Sequence, residues 1–129
     1  MTKDEFVAAL RDNNACWRSV AWVNAQDTTP YNMWRNCQRG DWLLWLADVA
    51  VGNTSRVADA GADLFNRLGA FGNDSQHAYV NGYSTTAIYC QAKNNDKARK
   101  ANAQLANIVR MHFKWSGIVK GLRESYEFR

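Results

Sequence analysis

The run Trp42-Leu43-Leu44-Trp45-Leu46-Ala47-Asp48-Val49-Ala50-Val51 contains one charged side chain in ten residues. As a helix it is apolar nearly all round, and a helix without a polar face has to be enclosed by others. Spanning a bilayer takes about 20 such residues, so the run is a core element and not a membrane span. It therefore predicts an all-α fold: a compact bundle of five to seven helices around a central apolar helix at about 42–51. One proline and eight glycines in 129 residues leave too little turn punctuation for a β-sandwich. A hydrophobic fraction of 47% excludes disorder as a general description.

The flanking sequence supplies start and stop signals. Thr2 and Glu5 have the spacing of a capping box, and Asn13-Asn14 ends the helix they open. A second helix carries Cys16, Trp17, Val20 and Val23 and stops before Asp27. Thr29 caps a short third helix with Pro30 at its first position, where the missing amide costs nothing. Gly40 reads as the turn that ends it, and Asp41 as the cap of the apolar helix. Beyond Gly52, Val57, Gly61, Leu64 and Leu68 form a seam, with Arg56, Asp59, Asp63 and Arg67 toward water and Asp63–Arg67 an i,i+4 pair. The pattern breaks at about 69–75. Residues 75–90 fit a helix better than the hairpin suggested by Asn81-Gly82. Asn94-Asn95-Asp96 caps a long last helix with its seam at Ala101, Leu105, Ile108, His112 and Trp115. Gly117 ends it. The expected organisation is a single helical domain over 1–116 and a basic-aromatic tail over 117–129.

Charge is split along the chain. Residues 1–92 hold seven basic and nine acidic side chains, and residues 93–129 hold nine basic and three acidic. The C-terminal third thus carries the whole positive excess behind the net +4, which suits an acidic partner surface, protein or nucleic acid. The candidate partner-binding residues are Lys93, Lys97, Lys100, Arg110 and Lys114 on the long helix, with Lys120, Arg123, Tyr126 and Phe128 in the tail. Tyr126 and Phe128 could stack on bases or anchor in a groove. Surplus tryptophan also leaves a homodimer interface open.

Catalytic and metal chemistry find little footing. Cys16, Cys37, His77, Cys90 and His112 include no Cys-x-x-Cys or His-x-x-x-His pair, the local spacing that zinc sites use. Cys37 and Cys90 read as small buried groups. Cys16, in the first turn of its helix, is the best candidate for a reactive thiol, although burial fits it better. His112 on the apolar seam reads as a core histidine bonded to a neighbour, and His77 as solvated. Asp48 in its apolar helix needs an ionic partner. Asp59 and Asp63 share a solvated face. Arg39-Gly40-Asp41 spells a cell-adhesion tripeptide that a helix junction explains in full. No phosphate loop, nucleophile elbow or zinc-protease motif occurs. No enzyme, no metal and no cofactor is the resulting expectation. The N-terminus turns acidic at Asp4-Glu5, where a signal peptide would turn apolar, and three cysteines suit a reducing cytoplasm.

Three stretches resemble a family of small phage and prophage proteins of uncharacterised function, loosely akin to bacterial immunity proteins. They are Ala15-Cys16 with Trp22; Trp34-x-x-Cys37-x-x-Gly40-Asp41-Trp42-Leu43-Leu44-Trp45-Leu46; and Leu105-Ala106-Asn107-Ile108-Val109-Arg110. They cover about a third of the chain. This chain keeps Tyr79, Tyr83 and Tyr89 of the family's alanine- and tyrosine-rich middle, and it extends past the family's usual end. The resemblance implies a helical fold and a phage origin but brings no catalytic residues. The expected function is a non-enzymatic phage-encoded protein that modulates or inhibits a host protein complex, such as a defence system, in the host cytoplasm. The alternative is a nucleic-acid-binding module using the basic C-terminal helix and tail.

Overall fold

Six helices are formed among the described residues of the computed structural model, which are 1–52, 56, 57, 59, 60, 63 and 96–127. They are α1 (Lys3–Asp12), α2 (Trp17–Ala25), α3 (Pro30–Asn36), α4 (Gly40–Val51), α5 (Asp96–His112) and α6 (Trp115–Glu127). Residues 56, 57, 59, 60 and 63 are also helical. The architecture is all-α, as the sequence predicts. No helix among the described residues is long and apolar enough to cross a membrane. The seam beyond Ala60, the break at 69–75, the segment 75–90, Asn94-Asn95 and Phe128 lie outside the described residues.

α1 begins on the expected capping box: the Thr2 hydroxyl accepts from the Glu5 N–H at 3.2 Å, and the Glu5 carboxylate accepts from the Thr2 N–H at 3.1 Å. That second bond holds the Glu5 carboxyl below the usual carboxylate range. The helix ends in a left-handed Asn14 at φ 59°. There the N–H of Asn14 donates to Arg11 O and that of Ala15 to Leu10 O, a Schellman closure. The chain turns back into α2, which packs on α1. Lys3 Nζ then donates to Asn24 O and Gln26 O at the end of α2, at 2.8 and 2.7 Å. Thr29 caps α3 with Pro30 at its first turn, again as expected.

α4 packs against α5 and α6. Leu44 and Ala47 are fully buried, and Leu43, Leu46 and Ala50 nearly so. The sequence predicts enclosure on every side. Instead Trp42, Trp45, Asp48 and Val49 are half-buried along another face, so the helix is sided.

Its start also differs from the expected turn and cap. Arg39 is the cap residue and makes no side-chain cap bond; Gly40 and Asp41 are already helical. A β-carbon on Gly40 would stand 2.5 Å from Asn102 O and 2.5 Å from Leu105 Cβ. Gly40 is therefore there for the close crossing of α4 and α5. Buried Asn102 completes the junction from α5, its Oδ1 accepting the Asp41 N–H at 3.0 Å. The orphan amide at the start of α4 is thus satisfied across the core.

The C-terminal region is the larger correction. The long helix stops at His112, and residues 115–127 form a helix of their own in place of a tail. Gly117 sits inside its first turn. Ile118 and Leu122 are buried, and Gly121 presses on the Ala50 carbonyl of α4, where a β-carbon would collide. The buried face of α5 is also wider than the expected seam, since Asn102, Ala106 and Val109 join Leu105 and Ile108.

Candidate functional site

Two features of the surface are built well enough to carry function. One is a basic-aromatic strip and the other a tryptophan-walled cavity.

The strip starts on α3. Tyr31 is 48% exposed, and the Arg35 guanidinium, one turn on, lies 5.6 Å from its ring centroid. Both line a groove with Lys114 and Ser116, at the junction of α5 and α6. Ser116 also lines the next groove, along α6, with Val119, Lys120 and Arg123. The two grooves therefore adjoin at Ser116. The carboxylate among the described residues of this second groove is Glu124, which meets Lys120 only at 4.0 Å across an exposed pair, a contact of little energetic weight. The strip ends at Arg123, which also lines a groove with Asp4 and Glu5 of α1.

The structure thus brings Arg110, Lys114, Lys120 and Arg123 of the sequence-predicted set to one surface. Arg110 has a structural use besides. Its Nη1 donates to Trp34 O at 3.0 Å and Cys37 O at 2.8 Å, closing the end of α3, while Nη2 donates to Asn107 Oδ1 at 2.7 Å. Burial lowers its pKa, and its guanidinium ties α3 to α5. Lys100 is exposed on α5, Lys97 lies in α5 and Tyr126 in α6; Lys93 and Phe128 lie outside the described residues. Tyr31 and Arg35 were missed in the sequence, where the only available signal was their i,i+4 spacing on a short helix.

The cavity lies among α1, α2, α3, α4 and the start of α6. It has a volume of about 260 Å³ and is partly open to solvent. Trp22, Trp34, Trp42, Trp45 and Trp115 line it, five of the six tryptophans. Their rings brace one another: Trp22 and Trp42 have centroids 6.1 Å apart, Trp34 and Trp115 5.9 Å, and Phe6 meets Trp115 edge-on at 5.7 Å. The Phe6–Trp115 contact has the edge geometry favoured for aromatic pairs, while the two tryptophan pairs are tilted, at 59° and 38°. Sequence reading places these tryptophans in the core. Only the tertiary arrangement gathers them around a space.

The reactive side chains are placed differently. Cys16 is the cap residue of α2 and is exposed, against the expected burial. Cys37 is buried as expected, and burial pushes its thiol pKa up. His112 Nε2 lies 3.4 Å from Asp63 Oδ2, both half-buried. This fits the histidine's expected structural role and turns Asp63 inward from the solvated face assigned to it. Arg56 and Asp59 are exposed as expected, and Arg56 Nη2 donates to the His112 carbonyl. The Arg39-Gly40-Asp41 tripeptide folds on itself. Arg39 Nε and Nη2 grip the Asp41 carboxylate at 3.0 and 2.8 Å, with the guanidinium 4.1 Å from the Trp42 ring centroid. Among the described residues no group of three or more His, Cys, Asp or Glu could hold a metal ion.

No family model, no curated protein and no solved structure matches this chain.

Proposed function

We propose that this is a non-enzymatic, phage-encoded binding protein that docks through its basic strip on an acidic surface of a host protein complex and modulates it, for example in a defence system. The observation that carries the reading is the pair of grooves that adjoin at Ser116, one lined by Tyr31, Arg35 and Lys114 and the other by Lys120 and Arg123. Tyrosine and arginine are the residue types that dominate binding energy in interfaces, and a surface of one sign steers an oppositely charged partner. The pairing of His112 with Asp63 and the burial of Cys37 favour a structural over a catalytic use of those two side chains. The phage origin rests on the motif from Trp34 to Leu46.

The test is affinity capture from host lysate with the wild-type chain and with Arg35→Glu/Lys114→Glu/Lys120→Glu. A partner retained by the wild type and lost by the variant is the expected result. Identical captures, or none with either protein, overturn the reading.

A nucleic-acid partner is the second reading, favoured by the exposed Tyr31 ring set among cations. It requires binding to a labelled oligonucleotide whose affinity falls steeply with salt. Flat or absent binding removes it.

A further inference from the structure

The cavity walls and rim differ in chemistry. Leu10, Val23 and Met33 join the tryptophans at depth, and no charged side chain among the described residues lines the space. An ion placed there would lose its hydration without a counter-charge, so the lining selects a neutral ligand. The exposed residues of the lining, Asn14 and Cys16, mark the mouth, with half-buried Ser19 beside them. The Ser19 hydroxyl already donates to Cys16 O at 2.8 Å and retains acceptor capacity. The Asn14 side chain has no hydrogen-bond partner among the described residues. Its left-handed backbone fixes it where the chain turns from α1 into α2. Asn14 and Ser19 thus add an amide and a hydroxyl acceptor to a lining whose other nitrogen-bearing side chains are indole donors.

Size narrows the class further. A cavity of about 150 Å³ holds benzene, so 260 Å³ accepts roughly two fused rings. Braced aromatic walls reward an aromatic guest beyond the area it buries, through stacked and edge contacts that an alkyl chain cannot make. Pockets between helices of a bundle, apolar with a few placed polar groups, are a recurrent form of small-molecule site.

We propose that the tryptophan-walled cavity is a binding site for a neutral, planar, two-ring aromatic molecule whose single hydrogen-bonding substituent meets Asn14 at the mouth. The cavity shares Trp34 and Trp115 with the first groove of the basic strip, but the proposal uses none of the strip's charged side chains and stands whether or not the strip docks on a partner.

The probes are 2-naphthol, naphthalene and decanoate, followed by calorimetry and saturation-transfer NMR with the full chain. The wild type binds 2-naphthol with a dissociation constant of about 10–100 µM, the range expected for a ligand of this size. Naphthalene binds about fivefold to tenfold more weakly, the loss of one hydrogen bond. Asn14→Gly keeps the left-handed turn and brings 2-naphthol down to the naphthalene value. Ser19→Phe fills the mouth and abolishes binding of both while the thermal transition persists. If Ser19→Phe does not fold, the Asn14→Gly comparison decides. No binding of 2-naphthol by the wild type, an undiminished naphthol preference in Asn14→Gly, or decanoate binding more tightly than 2-naphthol each overturns the proposal.

Discussion

A single β-carbon tests the packing of α4 more sharply than any truncation of a large side chain. On Gly40 it would stand 2.5 Å from Asn102 O and Leu105 Cβ and 2.6 Å from the Ala106 nitrogen. Two of those three neighbours are backbone and cannot rotate away. Gly40→Ala should therefore push α4 off α5 and cost about 3 kcal/mol, at the upper end of overpacking changes. The control is Gly117→Ala. A β-carbon there meets nothing within 4 Å, and alanine is the better helix former, so that change should be neutral or stabilise by about 0.5 kcal/mol. Urea denaturation of the two variants against wild type checks the contrast. If both behave alike, Gly40 is a turn residue after all. The sequence invites that misreading, because a glycine two residues before an apolar helix looks the same whether it bends the chain or admits another helix. Gly40 lies more than sixty residues before Asn102 and Leu105, and no local pattern joins it to them.

At the scale of the element, capping signals proved the most legible part of the chain because they are satisfied within four residues. Thr2 with Glu5 and Thr29 with Pro30 act as their spacing predicts. The α1 capping box also makes a statement about pH. The Thr2 N–H and hydroxyl hold the Glu5 carboxyl below its ordinary value. A carboxylate with a depressed folded pKa adds stability that is present above its unfolded value, about 4.3 for glutamate. That contribution is lost as pH falls through the lower folded value. Glu5→Gln should therefore lower the thermal midpoint at pH 7, with the gap to wild type closing as pH falls below about 4. A gap that stays constant down to pH 2 would show that the charge of Glu5 plays no part. Where capping depends on distant side chains, sequence reading fails: the amide at the start of α4 is satisfied by Asn102, and the end of α3 by Arg110. The tryptophan cavity is invisible for the same reason. Its walls come from positions 22, 34, 42, 45 and 115, each of which reads as core.

For the whole molecule, the deciding question is whether the last helix belongs to the fold or hangs from it. Gly117 reads as a stop, yet Trp115, Ile118 and Leu122 keep helical spacing through it and through Gly121. The structure gives those three positions to the interior: Trp115 meets Phe6 of α1 and Trp34 of α3, while Ile118 and Leu122 are buried in a helix that packs on α4. α6 therefore links three other helices, and removing it would strip the covering from one side of α4. Leu122→Ala tests this without deleting anything. A buried leucine truncated to alanine costs about 2–5 kcal/mol, whereas a substitution in a solvated tail stays within about 0.5 kcal/mol. The expected outcome is a loss of about 3 kcal/mol in a single cooperative transition followed by tryptophan fluorescence. Because Trp34 and Trp115 straddle the junction, the fluorescence and far-ultraviolet dichroism curves should coincide. A separate early fluorescence change would instead show α6 detaching by itself. The basic strip would then run between a fixed α3 and a loosely held helix, and the docking surface could not be pre-formed.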